Sequence, residues 1–183
     1  MENEIELKKK LKGIKFFNVL YFIGVIAMAN KMLDYLHWTF LLIRKWKMPE
    51  EPFFSRVDLA QSDVTLSLTV YLVFAFAYIV AFAFVLIGLY QLNKSAKLLA
   101  QHQIFLREIS EDFKKAGTSF LIFTFGTLTI DIAMLFWAKT SNRVVDLFST
   151  ETILFLILGY LLFFLSDIFR EGVIIKEENE LTI

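Results

Sequence analysis

The chain has 183 residues, 57% of them hydrophobic and 21% charged, with Lys plus Arg and Asp plus Glu at 19 each and no cysteine. That apolar share is above the roughly 45–50% of a soluble domain, and surface-to-volume scaling leaves a soluble globule of this size too much wet surface to hide it. The figures exclude a disordered chain, a collagen-like repeat and a disulfide scaffold. The zero net charge argues against direct nucleic-acid binding, which needs a basic excess or stripe, and the lack of cysteine removes thiolate metal sites and cysteine nucleophiles. The solvent that suits this composition is lipid.

Four apolar stretches follow in chain order. The first, Phe16 to Ala29, is read as a crossing over about residues 14–36, preceded by Lys8, Lys9, Lys10, Lys12 and Lys15. A rival reading makes it a signal peptide, with Ala27-Met28-Ala29 as the small-x-small cleavage pattern. The mixed apolar run from Lys31 to Ile43 favours an uncleaved membrane helix. An outer loop is expected over 37–63, where Met48-Pro-Glu-Glu-Pro-Phe must turn because proline blocks helix and central strand. His37 to Trp46 reads as an extension of the first helix or an interfacial piece, with a short strand pair as a weaker alternative.

The second stretch, Leu66 to Leu92, holds no charge and is assigned a crossing over 64–93. The inner segment 94–114 reads as a helical cytoplasmic loop, since Leu98, Leu99, Phe105, Leu106, Ile109 and Phe113 recur at helical spacing. Ser110-Glu-Asp-Phe then looks like a helix start capped by Ser110. The third crossing spans 115–138 and carries one internal charge, Asp131; the fourth spans 151–171, and a tail of 172–183 follows. A helix needs about 20 residues to cross roughly 30 Å of hydrocarbon, and backbone groups in lipid must be paired within the segment, so helices are expected and strands are not. The fold class is therefore all-α, an integral membrane four-helix bundle with a helical cytoplasmic loop, in a single domain over 1–183.

With the N-terminus inside, inner segments hold twelve basic residues and outer segments seven. The positive-inside rule then puts both termini in the cytoplasm of a multi-pass cell membrane protein.

The closing run Asp167-Ile-Phe-Arg-Glu-Gly-Val-Ile-Ile-Lys-Glu-Glu-Asn-Glu-Leu-Thr-Ile resembles the end signature of a family of small bacterial four-helix membrane proteins, domain of unknown function 2975. Ile104-Phe105 through Phe113-Lys-Lys-Ala-Gly117 is similar to the family's second marker, and the layout of spans fits nearly the whole chain. Val173 and Ile174 depart from the more polar mix expected there. The resemblance implies no assigned reaction. It implies a bacterial inner membrane and, through the family's gene neighbourhood, a small helix-turn-helix regulator of the Cro/repressor kind as a cytoplasmic partner.

Asp131 is the most informative single residue, because a charge in hydrocarbon costs about 2.5–3.5 kcal/mol on insertion scales. Thr124, Thr127 and Asp131 share one helix face. Asp131 lies about 20 Å from the inner edge and Lys31 about 22 Å, so an intramembrane polar cluster of Asn30, Lys31, Thr124, Thr127 and Asp131 is expected. Its first reading is an ion pair or hydrogen bond joining the first and third helices; a ligand or proton site is the second, and Asp131 protonated or in an outer water-filled pocket the third. Ala77, Ala81 and Gly88 form a small-residue face for packing within the bundle or between copies in a homo-oligomer. Gly159 and Ser166 offer the same on the fourth span.

Asp167, Arg170 and Glu171 read as an interfacial charge cluster. Phe105, Phe113, Gly172, Glu177, Glu178, Asn179, Leu181 and Ile183 are the candidates for binding a partner. His37 and His102 fall on opposite sides of the membrane, and no hydrolase, zincin or phosphate-loop motif is present. No catalytic residue, metal or cofactor is therefore expected. The leading expectation is a non-enzymatic membrane protein that signals to or sequesters a cytoplasmic partner. The alternatives are a small transporter or channel subunit using the Asp131 face, and a protein that binds lipid or another hydrophobic ligand.

Overall fold

The computed structural model describes residues 2–44, 68–101, 106–138 and 150–181. Within these the chain is all-helical, with α1 (Glu2–Ile43), α2 (Leu68–Ala100), α3 (Arg107–Ala138) and α4 (Thr150–Leu181). Each helix holds a stretch long and apolar enough to cross a membrane: Phe16–Leu41, Thr69–Ala100, Arg107–Met134 and Glu151–Leu181. The molecule is a multi-pass membrane protein. The Pro49–Pro52 turn, Trp46, His102, Phe105 and Ile183 lie outside the described residues.

The helices pack in chain order, α1 on α2, α2 on α3 and α3 on α4. Among the described residues α1 and α4 do not meet, so the bundle is open along one side. Neighbours run antiparallel: Tyr35 stacks on Tyr78 while Gly24 faces Leu89, and Gly88 faces Phe120 while Tyr78 reaches Asp131. Gly117 faces Gly159 while Ser110 reaches Ser166. Both termini therefore lie at one end of the bundle, called here the terminal end.

Lipid tails are as apolar as leucine, so close fit rather than water exclusion holds such helices together. Two buried clusters supply that fit. Near the far end, Tyr35, Tyr71, Ala75, Tyr78 and Met134 form one. In the middle, Ala81, Val85, Ala116, Phe120, Phe123 and Leu162 form the other, with Phe155 edge-on to both Phe120 and Phe123. Glycines set the spacing. A Cβ on Gly88 would lie 2.5 Å from the Phe120 ring, and one on Gly117 would lie 2.8 Å from the Gly159 carbonyl oxygen.

The helices outrun the expected crossings. α1 continues through Trp38 to Ile43, so the 37–46 segment is an extension of the first helix over its described part. The segment 94–114, expected to be helical, is helical over its described part as the end of α2 and the start of α3. Charges interrupt hydropathy there without interrupting helix, because Leu, Ala, Lys and Gln are all good helix formers. Ser110 is likewise not a cap. α3 starts three residues earlier, and the Ile109 amide donates to the Leu106 carbonyl at 3.1 Å. The Ser110 hydroxyl is engaged across the bundle instead, donating to the Ser166 carbonyl at 2.9 Å. The tail too is helix as far as Leu181.

Candidate functional site

The far-end polar cluster is built on three helices. Asp131 is 1% exposed, at the point where α3 passes α2. The Tyr78 hydroxyl of α2 donates to its carboxylate. Tyr78 also stacks on Tyr35 of α1, with ring centroids 5.5 Å apart and planes 19° from parallel. The Tyr35 carbonyl accepts from Thr39 at 2.7 Å and from the Tyr71 hydroxyl at 3.3 Å. The Tyr71 and Tyr78 hydroxyls are thus polar tips among apolar rings, and each of these two finds an acceptor, as burial requires.

Thr124 and Thr127 are buried below Asp131 and turn inward on their own helix. Thr124 donates to the Phe120 carbonyl at 2.9 Å, and Thr127 to Phe123 at 3.0 Å. Such back-bonding satisfies a hydroxyl without a second helix. The two threonines pack in the α3 core and leave Asp131 as the group that reaches out.

The expected Lys31–Asp131 pair does not form. Asn30 and Lys31 are exposed on α1, and α1 does not pack on α3. The level arithmetic was sound to about a turn, since Tyr35 stands level with Tyr78 and Asp131. α2 lies between the two helices, and Tyr35 of α1 stacks on Tyr78, whose hydroxyl donates to Asp131.

At the terminal end a second polar layer was not anticipated. Asp112, 1% exposed, takes Lys94 Nζ on its two oxygens at 3.2 and 3.1 Å, tying α2 to α3. Ser110 and Ser166 exchange hydroxyl-to-carbonyl bonds of 2.9 and 2.8 Å, tying α3 to α4. The signal for the first tie was Lys94 as the opening charge after the second span. The signal for the second was Ser166, noted only as a small residue.

The other candidates scatter. Ala81 and Gly88 are buried in the α2–α3 contact, whereas Ala77 lines an open groove. Phe113 packs on Phe169, with centroids 5.3 Å apart. Asp167 and Arg170 form an exposed ion pair of 3.3 Å. Gly172 is half-buried; Glu177, Glu178, Asn179 and Leu181 are exposed on α4. Among the described residues no three His, Asp or Glu side chains converge as metal ligands do.

The groove runs between α2, α3 and α4, with a volume of about 570 Å³. Ala77, Ala81, Phe84, Phe125, Gly126 and Phe163 are among its lining. Its two hydroxyls are already spent, Thr118 on the Lys114 carbonyl and Thr129 on that of Phe125. The groove therefore offers an occupant shape and apolar surface but no free donor.

Residues 27–183 match a family model described as a protein of unknown function, DUF2975. The chain belongs to the DUF2975 family. Neither a curated protein nor a solved structure matches it. The DUF2975 match takes in all of α2, α3 and α4 and most of the α1 crossing, so both polar layers lie within it.

Proposed function

We propose that this DUF2975 protein is a non-enzymatic protein of the bacterial inner membrane whose terminal end faces the cytoplasm and holds a cytoplasmic partner, a small helix-turn-helix regulator being the first candidate. One observation carries the reading. α4 does not stop at Arg170 but runs on as helix to Leu181, an arm about 17 Å long. On it Ile174, Ile175 and Leu181 are exposed, the last at 88%, beside Glu177, Glu178 and Glu180. Exposed apolar side chains at helical spacing suit a partner groove, and the acidic neighbours suit a basic surface of the kind that binds DNA. Holding that surface would keep the regulator off DNA.

The test is co-purification of the neighbouring helix-turn-helix protein with the full chain in nanodiscs. A variant ending at Gly172, and the substitution Leu181→Glu, should each lose capture while keeping the helical content of the bundle. Undiminished capture by both would refute the reading.

A second reading rests on the groove between α2, α3 and α4. Its spent hydroxyls and apolar lining suit a lipid chain, and the pocket size falls within the range of ligand sites, about 300–1,000 Å³. A Cβ on Gly126 meets nothing within 4 Å, so Gly126→Trp can fill the groove. Native mass spectrometry would show fewer retained lipids on that variant; equal retention would end this reading.

A further inference from the structure

Three stripes run along the membrane-crossing part of α1. Gly24, Met28 and Tyr35 face α2 and its neighbours. Val19, Phe22, Ile26, Leu33, Leu36 and Phe40 are exposed and wholly apolar, which is what a lipid-facing surface needs. The third stripe is different. It carries Asn30, Lys31 and Asp34, all exposed and making no hydrogen bond or ion pair among the described residues. Asn30 and Asp34 lie about a third of a turn round from the α2 contact, and Lys31 lies on the edge between the two faces.

These groups sit at membrane depth. Asn30 is about 21 Å and Asp34 about 27 Å along the helix from Phe16, within roughly 30 Å of hydrocarbon. Asp34 precedes Tyr35, the residue level with Tyr78 and Asp131. Polar side chains at that depth ordinarily face protein rather than acyl chains. Among the described residues α4 does not close over them, since α1 and α4 do not meet.

The sequence along this stripe identifies the occupant. Leu20, Ile23, Ala27, Asn30, Asp34 and His37 succeed one another at steps of three and four, and all are exposed. That is the seam of a parallel two-helix pairing, where a lone Asn fixes register. The patch is also its own complement: one amide that donates and accepts, one cation and one anion.

We propose that α1 is a dimerisation helix, its Asn30–Asp34 stripe meeting the same stripe of a second copy about a two-fold axis along the membrane normal. Two copies inserted in the same sense bring their α1 helices together in parallel, so the Asn30 amides bond one another. Lys31 reaches the partner's Asp34, about 4.5 Å further along the axis. The interface is isologous and closes at two. It is independent of the partner proposed for the α4 arm.

The chain has no cysteine, so single cysteines report contacts without background. In native membranes under oxidation, Ala27→Cys should form disulfide-linked dimers roughly tenfold or more in excess of Ile26→Cys, since a disulfide needs Cα atoms within about 7 Å. Leu33→Cys is a second control on the lipid-facing stripe. The full-length Asn30→Leu protein in detergent should dissociate with a constant on the order of 3- to 30-fold higher. Its unfolding midpoint should stay unchanged, because Asn30 is exposed and makes no hydrogen bond among the described residues. Equal crosslinking at 26 and 27, failure of Leu20→Cys, Ile23→Cys and Ala27→Cys alike to give dimers, crosslinks to a protein of another mass, or an unaltered constant for Asn30→Leu would each overturn the proposal.

Discussion

Four glycines of the crossing helices give a graded test of how tightly these helices fit. Each is changed to alanine, which adds one methyl and otherwise favours helix by up to about 1 kcal/mol. At Gly117 the new Cβ would stand 2.8 Å from the Gly159 carbonyl oxygen. Ordinary contact begins near 3.4 Å, so about 0.6 Å must be found by parting two backbones, which cannot swing aside as a side chain can. At Gly88 the approach is closer, 2.5 Å, but the obstacle is the edge of the Phe120 ring. That ring is fully buried and held edge-on by Phe155 at 5.5 Å, so it yields only with its neighbour. At Gly24 the nearest atom is a Leu89 methyl at 3.3 Å, the far end of a flexible side chain. At Gly126 there is nothing within 4 Å.

Overpacking costs about 1–3 kcal/mol. Gly117→Ala and Gly88→Ala should therefore lose about 1–3 kcal/mol of unfolding free energy, Gly24→Ala little, and Gly126→Ala nothing or a slight gain. Reversible SDS titration in mixed micelles, followed by helical circular dichroism, would read the series. A series in which Gly126→Ala falls furthest, or in which all four fall equally, would refute the packing described here.

Two further pairs of substitutions test the polar layers. Tyr78→Phe removes a donor from a carboxylate that is 1% exposed and should cost about 1–3 kcal/mol in the same titration; Asp131→Asn keeps an acceptor for the Tyr78 hydroxyl and should cost less. At the terminal end Lys94→Gln strands the buried Asp112 carboxylate, whereas Asp112→Asn merely frees a half-exposed lysine. The first should lower the unfolding midpoint more than the second, and the reverse order would show that Lys94 is not what compensates Asp112.

The fold was legible because lipid imposes one rule on every span. Length, apolarity and internally paired backbone leave only helices, and the four crossings were read from that rule alone. Asp131 was legible for the same reason, as a charge where charges are costly. Its partner was not. Depth along a helix is linear in residue number, so Tyr35, Tyr78 and Asp131 can be levelled from sequence, but which helix stands beside which is a property of the assembled bundle. Tyr78 was hidden by its own chemistry, counting as one more apolar residue in a charge-free run. Asp112 was hidden by its neighbours: in Ser110-Glu-Asp-Phe it reads as an exposed first-turn acid. Its burial comes only from the α2–α3 register that brings Lys94 to it. How far each helix runs past its crossing was not legible, because hydropathy marks where lipid stops, not where the backbone hydrogen bonds stop.

The two polar layers answer a difficulty that the apolar surfaces leave open. A leucine face sliding one turn past another in lipid exchanges one set of dispersion contacts for a similar set, and no exposed apolar area penalises the slip. Between α2 and α3 the ties stand at Lys94–Asp112 and Tyr78–Asp131, about 24 Å apart along α2. A one-turn slip of about 5.4 Å would break both together and leave two buried carboxylates without their donors. The Gly88–Phe120 fit lies between them and would be lost in the same movement. Register is thus fixed by groups that contribute little as net attraction and much as a penalty for being elsewhere. α1 has no tie of that kind to α3. Its ties to α2 include the ring contacts of Tyr35 with Tyr78 and Phe82 and a 3.3 Å hydrogen bond onto a backbone carbonyl, while Asn30, Lys31 and Asp34 are turned outward. The helix least pinned within the chain is the one that carries an unspent polar stripe, which is the arrangement expected if its register is set by a second molecule.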